Sequence, residues 1–154
     1  MAERMLLIRK IEGGTVIDHI AAGYALDVLR ILGIRGREGN VISVAMNVPS
    51  RKLGKKDIVK IEDRELSPGE VDRIALISPD ATINIIRDFV VAEKKRVSLP
   101  EVVVGVVKCS NPSCVSNGGE PVVSRLDVVR REPLLLRCRY CGAIVEREDV
   151  LKQS

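Results

Sequence analysis

The sequence predicts an α+β fold in two parts: an antiparallel sheet covered on one face by two helices, then a small all-β unit. Three observations carry this expectation. Short apolar runs of strand and helix period alternate through the segment before Cys109. All four cysteines fall between Cys109 and Cys141, whereas the single histidine, His19, lies far upstream. Between the segments stands Lys94-Lys95-Arg96-Val97-Ser98-Leu99-Pro100-Glu101, a basic stretch ending in a proline that interrupts regular pairing. The expected domains are residues 1–98 and 99–154.

Residues 5–11 and 15–20 read as strands, with Gly13-Gly14 as the turn between them. Residues 22–32 follow as a helix, in which Ala25, Val28, Leu29 and Leu32 recur at helical spacing and Gly33 stops the run. Residues 41–47 alternate as a strand, and residues 57–62 form another short candidate. Ser67-Pro68-Gly69-Glu70 is a capping box with proline at the first helical position; Val71, Ile74 and Ala75 supply the apolar face, and Pro79 marks the end. Residues 81–86 and 89–92 are β-branched strands bounded by Pro79-Asp80 and Arg87-Asp88. This order is that of a ferredoxin-like α/β sandwich. The C-terminal part shows no helical period, and residues 102–107, 122–123, 134–136 and 143–146 are its strand candidates. A unit so poor in apolar mass commonly needs a metal or a disulfide to fold.

Hydrophobic residues make up 45% of the 154 and charged residues 30%, which allows a packed core and excludes a disordered tail. The core must be aliphatic, because Tyr24, Phe89 and Tyr140 are the sole aromatics. The net charge of +4 would suit an anionic ligand or partner, although solubility alone explains a charge of that size. No run reaches the ~18 apolar residues of a membrane span. Glu3, Arg4, Arg9 and Lys10 break up the start of the chain, so no secretory signal is expected and a cytoplasmic location is. In that compartment cysteines are metal ligands or redox groups before they are disulfides.

Cys109 and Cys114 form C-x4-C, and Cys138 and Cys141 form C-x2-C. Each pair can wrap a tight turn around one ion, and Gly142 lets the backbone bend behind the second pair. Four thiolates favour a closed, tetrahedral, structural zinc site in a zinc-ribbon-like domain. Two disulfides or buried free thiols are the bland alternatives, and iron in a rubredoxin-type site is another, since thiolates accept several soft metals.

A second constellation is charged. Asp18 and His19 close an apolar strand and, on regular pleating, point to opposite faces. Lys56, Ile58 and Lys60 share one strand face, as do Thr82, Asn84 and Ile86; Lys94 and Lys95 follow the last strand. Lysines could neutralise phosphates, Asp18 could accept ribose hydroxyls, and Asn84 could read a base edge. On residue chemistry alone, a solvated face around a half-buried sheet explains the same charges. His19 could be a general base or a pH-sensing group, but no nucleophile accompanies it. A Walker loop, G-x-G-x-x-G and H-E-x-x-H are all absent, so the chain has no recognisable catalytic constellation.

Gly14-Thr15-Val16-Ile17-Asp18-His19-Ile20, Asn47-Val48-Pro49-Ser50, Gly54-Lys55-Lys56-Asp57-Ile58-Val59-Lys60-Ile61-Glu62, Ala81-Thr82-Ile83-Asn84 and Ser98-Leu99-Pro100-Glu101 occur in this order, followed by the cysteine pairs. Over nearly its whole length the chain resembles the regulatory chains of aspartate carbamoyltransferase, which opens the pyrimidine pathway. The resemblance implies a non-catalytic subunit whose first domain binds ATP as activator and CTP as inhibitor, with UTP as a possible co-effector. It implies that Lys10 and Ile11 meet the base, that Asp18 and Lys60 contact the ribose and base region, and that Asn84, Ile86 and Val91 line the pocket. Lys94 would bind phosphate, with His19 and Lys56 near the phosphates or a second nucleotide. Phe89 stands where members commonly carry tyrosine, and Arg9-Lys10 is more basic than the family pattern. The implied assembly is two catalytic trimers joined by three regulatory homodimers, with the zinc domain gripping the catalytic chain. Asn111, Arg139 and Tyr140 match partner-facing positions, whereas Ser113, Gly142 and Ala143 are less polar than usual there.

The rival from another class is a nucleic-acid-binding zinc ribbon using Arg125, Arg130, Arg131, Arg137 and Arg139. The scarcity of aromatics for base stacking, and Asp127, Glu132, Glu146 and Glu148 within the patch, weigh against it. A small nucleotide-processing enzyme lacks a nucleophile and a metal-carboxylate cluster.

Overall fold

The computed structural model describes residues 11–153. The expected strand at residues 5–11 and the candidate Lys10 therefore lie outside the described residues, apart from Ile11. Two antiparallel sheets follow one another along the chain. The first contains β1 (Gly14–Ala21), β2 (Ile42–Ser50), β3 (Gly54–Glu62), β4 (Thr82–Arg87) and β5 (Val90–Arg96), in the order β2-β3-β1-β4-β5. Helices α1 (Ala25–Ile31) and α2 (Pro68–Ile77) supply the two crossovers, which gives the ferredoxin-like sandwich with a fifth strand added by a hairpin. The second sheet runs β6 (Val102–Val104), β7 (Arg125–Arg130), β8 (Leu135–Cys138) and β9 (Ile144–Glu146) in sequence order.

Alternation along the strands decides which face each residue serves. Ile17, Val59, Ile61, Ile83 and Ile85 point into a core shared with Val28 of α1 and Ile74 and Ile77 of α2. The intervening residues, Val16, Asp18, Ile58, Lys60 and Asn84, occupy the opposite face and remain partly accessible. At Gly14 the φ of +139° suits glycine, and an added Cβ would stand 2.1 Å from the Ile61 carbonyl oxygen, so the β1–β3 approach depends on its missing side chain.

Helix α2 starts as its sequence dictates. Ser67 Oγ accepts the Glu70 N–H, and the Glu70 carboxylate accepts the Ser67 N–H. Arg64 pairs with the same carboxylate. Burial opposes Glu70's charge, but the Ser67 N–H and the Arg64 guanidinium outweigh it and hold the carboxyl below its usual range.

Four expectations need correction. Lys94, Lys95 and Arg96 belong to β5, so the connector narrows to residues 97–100, where Val97 and Leu99 are buried. Residues 122–123 are not a strand; pairing begins at Arg125. A helix, α3 (Arg147–Lys152), closes the C-terminal part, although the sequence showed no helical period there. Its six residues bury only Val150, too short and too polar a stretch to display one. Finally, Asp18 and His19 are not on opposite faces. His19 has φ 57° at a register shift between Ile17 and Ile20, and its Nδ1 lies 3.1 Å from Oγ1 of Thr82, the residue opposite Asp18.

Candidate functional sites

Register brings most of the charged candidates together. Ser43, Lys60, Val16, Asn84 and Lys94 are successive cross-strand partners, forming one row across all five strands. At ~4.8 Å per strand the ammonium-bearing positions Lys60 and Lys94 stand about 14 Å apart, with Val16 and Asn84 between them. In the next row Asp18 opposes Thr82, which opposes Arg96. The Lys56 ammonium reaches Asp18 at 3.0 Å, and both side chains are largely covered. In a third row Gly14 opposes Ile86, which opposes Val91. The outer face therefore combines separated cations, a carboxylate, an amide and aliphatic side chains.

Two candidates lie elsewhere. Ile11 is buried just before β1. Phe89 stands in the β4–β5 turn with φ 67°, its N–H donating to the Glu12 carbonyl, and its ring is exposed.

Asp57 organises this end of the sheet, a role that sequence reasoning missed. The fully buried carboxylate accepts N–H groups from Gly23 and Ala25 at the start of α1, both at 2.9 Å, and from Asn47 on β2 at 2.8 Å. One side chain thus fixes the entry to α1 and the β2 irregularity beside Lys56. Its apolar surroundings, Val59 and Ile20, were readable in the sequence; the convergence of three backbone segments on it was not.

The four cysteines converge on a second centre. Their sulfur atoms all lie within 4.8 Å of one another, with Cys109 3.5 Å from Cys141 and Cys114 3.7 Å from Cys138. A tetrahedron with metal–sulfur bonds of ~2.3 Å has edges of roughly 3.8 Å, so the donor set fits one ion. The thiols are free, and their spacing is far from the ~2.05 Å of a disulfide bond.

Local turns set this geometry. Cys114 N–H donates to the Asn111 carbonyl, while Gly142 N–H donates to that of Cys138 with φ 78° at the glycine. Asn117 was missed by sequence reasoning. Its amide donates to the carbonyls of Cys109 and Asn111 at 2.9 and 2.8 Å, tying the first knuckle shut. Burial pushes the Cys109 thiol up to about 12. The Ala143 N–H draws the Cys141 thiol down to about 7, and the Ser116 hydroxyl lowers that of Cys114. A divalent cation at the centre would favour the thiolate at every position.

Around the knuckles, Arg139 pairs with Asp127 at 2.9 Å, and the Tyr140 hydroxyl donates to the Val123 carbonyl. Asn111 uses its side-chain oxygen to accept the Ser113 N–H. Arg130 donates to the Pro133 carbonyl, so the C-terminal arginines are partly engaged within the domain. No helix among the described residues is long and apolar enough to cross a membrane.

Comparison with known proteins agrees with this two-part organisation. Residues 6–98 match the family model of the aspartate carbamoyltransferase regulatory chain, allosteric domain, and residues 101–151 match that of the same chain's metal binding domain. The aspartate carbamoyltransferase regulatory chain of Hyperthermus butylicus is 62% identical over 149 residues, covering 96% of this chain and 93% of the relative. The regulatory chain of Methanothrix thermoacetophila is 62% identical over 141 residues, covering 92% of each. That of Thermofilum pendens is 59% identical over 152 residues, covering 98% of this chain and 96% of the relative. With both of its parts matched and its length covered, the chain belongs to the family of aspartate carbamoyltransferase regulatory chains.

Proposed function

We propose that the chain is a non-catalytic allosteric subunit that binds nucleotides on the outer face of its first sheet and docks an aspartate carbamoyltransferase catalytic chain through its metal domain. In this reading residues 1–98 form the effector domain and residues 99–154 the docking domain. The supporting observation is the row Lys60–Val16–Asn84–Lys94 beside the Asp18–Lys56 pair. Lys94, Lys56 and His19 serve phosphates. Asp18 and Lys60 take the ribose and base region, with Asn84, Ile86 and Val91 lining the pocket. Lys10 and Ile11 meet the base, largely through backbone groups, and the Phe89 ring packs at the site.

ATP activates and CTP inhibits, with UTP as a co-effector. Each shifts the balance between two states of the assembly by as much as it prefers one of them, typically ~1–3 kcal/mol. The metal is one structural zinc held by Cys109, Cys114, Cys138 and Cys141, with no open position for a substrate. The chain works in the cytoplasm as a homodimer, three of which join two catalytic trimers. Asn111, Arg139 and Tyr140 face the catalytic chain.

Isothermal titration of the zinc-loaded chain with CTP and then ATP tests the reading. Competitive binding is expected, and is expected to be lost in a Lys60→Ala/Lys94→Ala variant. A folded, zinc-loaded dimer that binds neither nucleotide would return the outer face to a solvating role.

A further inference from the structure

A cleft of about 470 Å³ lies between the two domains, away from the outer face of the first sheet and from the sulfur centre. One wall comes from the first domain: Arg30 at the end of α1, Arg35 in the loop that follows, and Arg73 on α2. The other comes from the second: Lys108 and Gln153. Leu76 and Val150 of its floor are buried, while Ile31 and Val106 remain partly accessible. The polar side chains of the lining are three arginines, one lysine and one glutamine, above a partly apolar floor.

Among the described residues, no carboxylate lines the cleft. Asp27 pairs with Arg30 at 3.6 Å from within α1, and Glu38 turns its carboxylate onto the backbone N–H groups of Arg35 and Gly36. Asp72 lines a separate small cavity. The Arg35 and Arg73 guanidinium groups have no ion-pair partner among the described residues. The second wall is held in place by the chain itself. Lys108 N–H donates to the Gln153 side-chain oxygen, and the Gln153 amide donates back to the Lys108 carbonyl, both at 2.8 Å.

We infer that this cleft binds a chain of phosphates, either free polyphosphate or the tail of a nucleoside triphosphate, and that the occupant spans the two domains. Guanidinium forks match phosphate oxygens bidentately. The volume exceeds what a single phosphate fills. The like charges facing one another across the cleft repel when it is empty and are neutralised when it is filled. The site is separate from the outer face, so it stands or falls independently of the effector site proposed above.

The test is titration of the full zinc-loaded chain with sodium tripolyphosphate, with CTP, and with cytidine, at low and at high salt. Arg35→Gln/Arg73→Gln and Lys60→Ala/Lys94→Ala are the two comparison variants. Tripolyphosphate should bind the wild type and weaken steeply with salt. The Arg35→Gln/Arg73→Gln variant should lose at least about tenfold in affinity while keeping its far-ultraviolet dichroism. The Lys60→Ala/Lys94→Ala variant should retain tripolyphosphate binding. CTP that binds this variant through the cleft identifies the nucleotide as an occupant, and tripolyphosphate binding without it identifies free polyphosphate; cytidine should bind this variant in neither case. The proposal is overturned if the folded wild type ignores tripolyphosphate at low salt, if the Arg35→Gln/Arg73→Gln variant binds it unchanged, or if the outer-face variant alone abolishes it. The last outcome would leave the outer-face site intact as a phosphate site and remove only the cleft.

Discussion

The Arg147 guanidinium carbon lies 5.0 Å from the centre of the Tyr24 ring, and its Nη1 is 3.4 Å from the same residue's hydroxyl. Arg147 opens α3 in the metal domain, and Tyr24 precedes α1 in the first domain. A cation over an aromatic face thus joins two elements far apart in sequence. Glu132 completes the contact at 2.9 Å, while Nε of Arg147 is buried without a hydrogen-bond partner. Burial opposes the charge, yet Glu132 and Tyr24 outweigh it. In a double-mutant cycle, Arg147→Met and Tyr24→Leu should show a coupling of roughly 0.5–2 kcal/mol in denaturant unfolding. Additive effects would mean that the contact holds nothing.

Asp57→Ala should be among the most damaging single changes in the first domain. It strands three backbone N–H donors, of which that of Ala25 is buried. The expected loss is at least about 3 kcal/mol, read from chemical denaturation. Asp57→Asn should recover part of it, because an amide oxygen still accepts. Hydrogen exchange should report faster opening at Gly23, Ala25 and Asn47. Unchanged exchange there would contradict the role given to the carboxylate.

The α2 capping box should make stability fall in acid. Glu70's carboxyl is held below its ordinary value of 4.5. The stability it contributes is therefore complete above that value and is lost as pH falls through the depressed folded-state value. Glu70→Gln should cost about 0.5–1 kcal/mol at neutral pH and less in strong acid, where the wild type has lost the same charge. A cost that stays constant from pH 7 to pH 2 would show that the charge is irrelevant and only the cap's shape matters.

Chelation should unfold the second sheet before the first. Cys114, Cys138 and Cys109 are buried beside Leu126 and Leu136, so an empty centre leaves a small core without its anchor. Metal-dependent folding of this kind is worth on the order of 10 kcal/mol. Near-neutral exchange measurements with and without chelator should show loss of protection in residues 102–146 and retention in residues 14–87. Asn117→Ala should weaken metal retention without removing a ligand, because it frees the carbonyls of Cys109 and Asn111.

Much of this architecture was legible in the sequence, and the illegible parts share a cause. The α2 capping box and the cysteine pairs are local patterns, and each folds as its spacing says. The outer-face lysines were readable as strand faces, but their alignment into one row needed the register, which long-range pairing sets. His19 went astray because the bulge beside it arises from pairing with β3, which no local signal announces. Lys94, Lys95 and Arg96 looked like a linker because an edge strand exposed along its whole length carries the composition of one. Asp57 and Asn117 act through backbone groups brought together only by the fold.

The tie between Lys108 and Gln153 and the Arg147–Tyr24 contact both depend on α3, at the very end of the described chain. For anyone handling this protein, that has a practical meaning. A purification handle or fluorescent label fused after residue 153 would sit against the helix through which the domains hold each other, and could alter the behaviour it was added to report. The β2–β3 turn at Arg51 and Lys52, exposed and remote from that helix in the chain, is the better place to attach one.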